Sequence, residues 1–330
     1  MNLNNIGILS KDGRASFFEK YGTVLILLGM IVIMSFLKQE FLTFNNLTNI
    51  IRQQTPVIIL ALGVTLTIIS GGIDVSGGSV IAMCSVIIAT FAHPLADPSG
   101  PGAYPLLLTI LIGVAAGAAC GTINGLAIAF GNVPPFIATL GMMSAARAIA
   151  LIVSDGKPIY GFTDAFNFIG GGILLGLPMP IWILALMFLI GFVILHKTKF
   201  GVYIYAIGSN ENAAKVSGVK VRSKKMLVYT LAGAFAGVAA VVLTSRILAG
   251  QPAVGSGYEM DAITGAIIGG ASFSGGIGTM AGTIVGALIM GVLTNGMTML
   301  QIDPSLQMLV KGIVIVGAVL LDERKHRHRK

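Results

Sequence analysis

Five polar residues stand where an apolar chain tolerates them least. Arg147 and Lys311 lie inside stretches long enough to be membrane spans, and Asp74 sits in the glycine-rich turn GGIDVSGGS beside Ser76 and Ser79. Asn124 and Asn295 complete the set, with Thr139 and Gln307 nearby in sequence character. A charge inside a span costs roughly 2.5–3.5 kcal/mol even on lenient insertion scales, so each must face protein or water. An amide offers donors and an acceptor together, which suits a neutral polar solute. The five residues are therefore candidates for a translocation path or its gate. Three have a plain alternative: Asp74 can cap the third span against its helix dipole, and each asparagine can bond a neighbouring helix.

Other chemistries find no constellation. The chain has no G-x-x-x-x-G-K-[ST] phosphate loop, so it is not expected to bind and hydrolyse ATP itself. Its histidines, at 93, 196, 326 and 328, have no metal-ligand spacing inside a span, so no metal site is expected. Cys84 and Cys120 lie in apolar segments and read as inert packing thiols. The acids Asp74, Glu259, Asp261 and Asp303 fall at span ends. That disfavours a proton- or sodium-coupled carrier, which needs carboxylates within the membrane. No catalytic pair stands at one depth, as an intramembrane enzyme would require.

The elements that hold these residues are helices in a bilayer. Of 330 residues, 55% are hydrophobic and 10% charged, with a mean hydropathy of +0.89. A soluble domain carries about 25% charge, so this chain has no ordinary wet surface. Apolar stretches near the roughly 20 residues that cross a bilayer recur to the end, and the alternating segments of a β-barrel are absent. The expectation is all-α: a polytopic membrane bundle of ten spans. They are 21–37, 55–70, 75–93, 105–130, 134–153, 179–195, 226–243, 262–274, 278–300 and 305–321, the eighth being short. Residues 1–20 and 322–330 are the terminal segments, and 21–321 the membrane domain. The first span ends in Lys38-Gln39-Glu40 without a small-residue cleavage site, so it reads as retained.

Fifteen Lys and Arg fall on the side of the termini against four on the other, which puts both termini in the cytoplasm. The net charge of +8 follows from that bias and does not indicate nucleic acid. Seven of the basic residues lie in one polar stretch, His196–Lys225. Within it, Asn210 can cap a short helix over Glu211–Val216 that Gly218 ends, with Ala213, Ala214 and Ser217 as a small-residue face. Such a knob suits the docking of a partner on the cytoplasmic side.

Two spans carry glycines four apart: Gly113, Gly117, Gly121 and Gly125, then Gly278, Gly282 and Gly286. That spacing cuts a groove in which a neighbouring backbone can lie. The frame GG…SGG occurs at Gly71–Gly78 and again at Gly269–Gly276, a short internal echo. The outer loop 93–105 is dense in Pro and Gly. The outer loop 154–178 holds Tyr160, Phe162, Phe166 and Phe168, which can cap a pore or sit at the membrane interface.

Seven blocks in order carry a resemblance. They are FLTFNNLTNI (41–50), GVTLTIISGGIDVSGGS (63–79), PPFIATLGMM (134–143), TKFGVYIYAIGSNENAAKVSGV (198–219), YEMDAITGAIIGGASFSGGIGT (258–279), GALIMGVLTNGM (286–297) and QMLVKGIVIVGAVLLD (307–322). The chain resembles the permease subunits of bacterial ABC importers for monosaccharides, the ribose, xylose, arabinose and galactose group. Ribose-type members are most similar, through GYEMDAI and PMPIWI. One departure is Gly77-Gly78, where relatives have Val-Gly or Ala-Gly.

The resemblance implies an inner-membrane permease, paired with a second copy among the lipids. It implies a periplasmic sugar-binding protein that delivers solute and an ABC ATPase that uses ATP on the cytoplasmic face. No cofactor is bound by the permease itself. The family's coupling loop falls on 206–219, which gives Gly208, Ser209, Asn210, Glu211, Ala213, Ala214, Ser217 and Gly218 the role of ATPase contact. The competing readings are a permease of the same fold for a nucleoside, an inositol or a quorum-signal sugar, and a stand-alone channel.

Overall fold

The computed structural model describes residues 11–92 and 104–327, which form a helical bundle. The outer loop 93–105 and residues 1–10 lie almost wholly outside that range. Two helices make the centre: α2 (Phe44–Ile69) and α10 (Val221–Ile247), buried over 78% and 67% of their apolar windows. Around them stand α1 (Lys11–Leu37), α4 (Leu106–Ala129), α5 (Pro135–Val153), α7 (Met179–His196), α12 (Met280–Met299) and α13 (Pro304–Arg327). The peripheral helices bury much less, 28% for α4 and 17% for α5. Leu107, Leu111, Ile137 and Ile152 project outward from them. In lipid such a face needs no partner.

Among the described residues, six helices are long and apolar enough to cross a membrane, and Gly22–Leu37, Gly77–Ala92 and Pro304–Leu320 are shorter apolar helices. The chain is therefore a multi-pass helical membrane protein. Several expected bounds change. α2 starts at Phe44 rather than 55, because Thr43 caps it by accepting from the Asn46 N–H. α1 already includes Lys11–Lys20, and α13 carries the basic tail on to Arg327, so neither flank is a simple extension outside the bundle.

The eighth expected span, 262–274, is corrected most. Its helix, α11 (Tyr258–Ile268), has 11 residues, about 16 Å, half of a hydrocarbon core. The chain from Gly269 to Gly278 is a turn, with positive φ at Gly270, Gly275, Gly276 and Gly278. The third element, α3 (Gly77–Ala92), is also interrupted. It begins beside Leu60, far back along α2, because residues 70–76 re-enter the bundle. From the other side Leu248–Gly257 dips to the same depth, and a Cβ on Gly78 would overlap the Gly255 carbonyl and the Glu259 carboxylate. Thus α3 and α11 start at one level and run to opposite ends. Irregular backbone at such depth must be enclosed by protein, and here it is.

The GG…SGG echo takes on a different meaning in three dimensions. Gly71–Gly78 precedes α3, whereas Gly269–Gly276 follows α11. They are neighbours at one end: the Gly276 N–H donates to the Ile69 carbonyl at 2.8 Å, and Gly275 lies beside Gly71. The counterpart of residues 70–76 is Leu248–Gly257, which shares no such frame.

Glycine sets the closest contacts. On α4, a Cβ at Gly117 would overlap the Gly233 carbonyl, one at Gly121 the Tyr229 carbonyl, and one at Gly125 would stand 2.7 Å from the Met226 carbonyl. Gly113 instead meets the Ile88 side chain at 2.5 Å. On α12, Gly282 and Gly286 face the Gly269 and Gly265 carbonyls. Gly278 belongs to the turn before α12, where Thr279 is the cap, so it is no part of the helical groove. Hydroxyl pairs add to these contacts, Thr122–Thr230 joining α4 to α10 at 2.9 Å and Thr65–Thr283 joining α2 to α12 at 2.6 Å.

The segment 154–178 is more than a loop. It contains α6 (Asp164–Gly171) and a tight two-stranded turn, and its Ile159–Tyr160 pairs with Ala249–Gly250. Phe162 and Phe166 are buried, whereas Tyr160 and Phe168 are exposed, so only the latter two can serve an interface.

Substitution at a groove glycine separates backbone contact from ordinary crowding. Gly117→Ala must push α10 away and should destabilise by about 3 kcal/mol, the upper end for overpacking. At Gly191 an added Cβ meets flexible Met280 at 3.3 Å, and Gly191→Ala should cost less than about 1 kcal/mol. Thermal unfolding in detergent reads both; equal losses would show that α4 and α10 are not in backbone contact.

Candidate functional site

The polar stretch 196–225 folds into α8 (Lys199–Ser209) and α9 (Glu211–Val216). The bounds of α9 are those the sequence predicts. Asn210 accepts from the Ala213 N–H at 3.0 Å, and Gly218, at φ +85°, lets the chain leave. Glu211 accepts from Lys225 at 2.5 Å, fixing α9 to the start of α10. The small-residue face needs correction. Ala214 is 5% exposed and packs on Ile207 and Val221, so it anchors the knob. Outward stand Asn212, Ala213, Lys215, Ser217 and above all Val216, 90% exposed. A two-turn helix has no periodicity strong enough to reveal which face it buries.

Arg147, Lys311 and Asp74 each have close partners, whereas the buried Arg246 Nε and Glu259 Oε2 have no hydrogen-bond partner among the described residues. Arg147 Nη1, on α5, donates to the Pro252 and Val254 carbonyls at 2.6 and 2.9 Å, holding the dipping segment that starts α11. Lys311 donates to Asp261 at 2.7 Å, joining α13 to α11. Asp74 does not cap α3 directly. Its Oδ1 accepts from the N–H and hydroxyl of Ser76, the residue before the helix, at 2.9 and 2.6 Å. It is 5% exposed and lies within the bundle, not at a span end.

The asparagines also have protein partners. Asn124 Nδ2 donates to the Ser76 hydroxyl at 3.2 Å, extending the Asp74 network to α4. Asn295 and Asn46 exchange amide bonds at 3.2 Å between α12 and α2. The structure brings Asp74 and Asn124 together, and leaves Asn295, Arg147 and Lys311 in separate networks. The enclosed cavity beside Asp74 and Ser76 measures about 10 Å³, near the lower limit for one water. An open polar cleft of about 520 Å³ lies at the end away from α9, lined by Glu40, Thr43, Asn45, Asn46, Asn49 and Arg52. Among the described residues no cluster of three His, Cys, Asp or Glu could hold a metal.

Sequence reasoning passed over two partner grooves. Gly233 and Gly237 on α10 are four apart, as are Gly265 and Gly269 at α11, and these receive the two ladders. The same spacing signal would have found them.

A family profile described as the permease component of branched-chain amino acid transport systems matches residues 46–319. The chain belongs to this permease family. It is 40% identical over 307 residues to the ribose import permease protein RbsC of Escherichia coli (strain K12), covering 92% of this chain and 93% of that one. It is 42% identical to RbsC of Bacillus subtilis (strain 168), covering 93% and 94%. The galactose/methyl galactoside import permease protein MglC of Escherichia coli (strain K12) is 37% identical, covering 98% and 99%. No solved structure matches the chain. The family is a transport family, and its catalogue of relatives agrees with a sugar permease of the ABC importer kind.

The Lys311–Asp261 pair yields a direct test of its role. Lys311→Met leaves the mostly buried Asp261 carboxylate unpaired and should destabilise by about 2 kcal/mol, below the 3–5 of a fully buried pair. Adding Asp261→Leu should restore most of that loss in detergent unfolding. If the double variant stays as unstable as the single, the pair is not what the lysine supports.

Proposed function

We propose that this chain is the membrane-spanning permease of an ABC importer that carries a monosaccharide, ribose or a related pentose or hexose, across the bacterial inner membrane. Two copies form the membrane unit. A periplasmic binding protein delivers the sugar, and a separate ATPase subunit docks on α9 and supplies the work. Both termini and the segment 196–225 face the cytoplasm, and the ten crossings include the interrupted α3 and α11. The observation that carries this reading is similarity along nearly the whole chain to proteins named as ribose import permeases. A basic end bearing a capped, outward-facing α9 supports the side on which the ATPase sits.

The chemistry of the interior favours a neutral solute. Arg147 is engaged by carbonyls and Lys311 by Asp261, so neither is left to capture an anion. The polar cleft away from α9 offers the amides of Asn45, Asn46 and Asn49, suited to hydroxyls at low affinity. Asn124 and Asn295 serve the path in this proposal by holding α4 to the Asp74 turn and α12 to the cleft.

Reconstitution with the ATPase and binding protein tests the assignment. Wild-type proteoliposomes should take up radiolabelled ribose, with galactose and xylose as competitors and a nucleoside without effect. Val216→Asp puts a charge on the exposed face of α9 and should abolish solute-stimulated hydrolysis while insertion is unchanged. Competition by the nucleoside alone would overturn the sugar assignment, and undiminished stimulation in Val216→Asp would remove α9 from the ATPase contact.

A further inference from the structure

Three contacts at the end of α8 lead past docking to transmission. We propose that Gly208, Gly276 and Tyr205 form the junction through which movement of α9 reaches both interrupted helices, α3 and α11. The inference rests on the reading of α9 as the ATPase dock.

The link from α9 inward has no slack. Asn210 is at once the C-terminal cap of α8 and the N-terminal cap of α9, and Ala214 is seated on Ile207 and Val221. A displaced α9 therefore moves the last turn of α8. One residue beyond Ile207, Gly208 lies directly on backbone. A Cβ there would overlap the Ile69 carbonyl and stand 2.5 Å from the Gly276 nitrogen. Those two groups are themselves hydrogen-bonded at 2.8 Å. Gly275 closes the contact, with its Cβ position 2.7 Å from the Gly208 carbonyl and 3.1 Å from the Gly71 Cα. On the same face of α8, the Tyr205 hydroxyl donates to the Gly278 carbonyl at 2.7 Å.

Each partner leads to one of the interruptions. Ile69 ends α2, and the chain after it climbs through Asp74 to the start of α3. Gly275, Gly276 and Gly278 belong to the turn that closes α11 and opens α12. Asp322 holds that turn from α13, accepting from the Phe273 N–H at 3.2 Å. Around Gly208 the contacts are backbone on backbone, so a shift there cannot be absorbed by a change of rotamer. One turn of α8 thus bears on both re-entrant elements, whose first turns meet again at Gly78 and Glu259.

The test uses the full complex in proteoliposomes and reads radiolabelled ribose imported per ATP hydrolysed, beside co-purification of the ATPase. Gly208, which the resemblance puts in the ATPase contact, is turned inward onto Ile69 and Gly276, so Gly208→Ala should keep the ATPase bound and hydrolysing while ribose per ATP falls about tenfold, within the range for loss of coupling between sites. Tyr205→Phe removes one hydrogen bond without adding bulk and should lower the ratio by about fivefold. It carries the test should Gly208→Ala not fold. Gly141→Ala, at a helical glycine with open space around it, should keep the wild-type ratio. A wild-type ratio in both Gly208→Ala and Tyr205→Phe, while Val216→Asp loses stimulation, would overturn the junction alone. Full coupling in Val216→Asp would overturn the docking reading and the junction with it.

Discussion

Direct contact between helix backbones is the constraint on which this bundle depends. In lipid, bringing two apolar helices together removes no water, so packing itself must supply the attraction. α4 and α10 achieve it by placing Gly117 and Gly121 against Gly233 and the Tyr229 carbonyl. The short α11 uses the same device against α12 through Gly265, Gly269, Gly282 and Gly286. With those four backbones so close, the centre is dense enough to enclose segments that lack regular hydrogen bonding. The re-entrant stretches exist at depth because helices enclose them, 70–76 lying among α4, α5 and α10 and 248–257 against α3 and α5.

The polar residues inside follow from that enclosure. Every broken helix frees backbone groups, and they need partners that a bilayer cannot provide. Arg147 meets two freed carbonyls of the second stretch, and Asp74 with Ser76 meets the first. Charge inside the bundle is therefore largely a consequence of irregular backbone. Val75 shows the same logic, its N–H donating to the Thr139 hydroxyl at 3.3 Å. A residue that looks chosen for a solute can be chosen for a turn, and in Asp74 the local bonds are short enough to carry that explanation by themselves.

How much of this was legible in the sequence depended on the length scale. Gly117, Gly121 and Gly125 were readable because four-residue spacing is a local property of one helix. α9 was readable because its cap and its glycine stop are both local. The depth at which α3 and α11 begin was not, since hydropathy registers length and apolarity but not where along a neighbour a helix starts. Lys311 could be predicted to need a partner, but Asp261 lies 50 residues away and is fixed only by the fold. The inward turn of Ala214 was hidden for the same reason, because Ile207 and Val221 decide it from outside α9.

The two interrupted helices impose a mechanical consequence of their own. α3 and α11 point to opposite ends, yet a Cβ on Gly78 would strike the Gly255 carbonyl and the Glu259 carboxylate. The Glu259 carboxylate, on α11, lies buried against the first turn of α3, and its Oε2 has no hydrogen-bond partner among the described residues. Neither helix start can move toward the other. Each is also pinned at its far end, α3 at Ile88 against Gly113 and α11 at Gly269 against Gly282. The two short helices are thus held at both ends, and the level they share at mid-depth is where the irregular segments of the bundle meet.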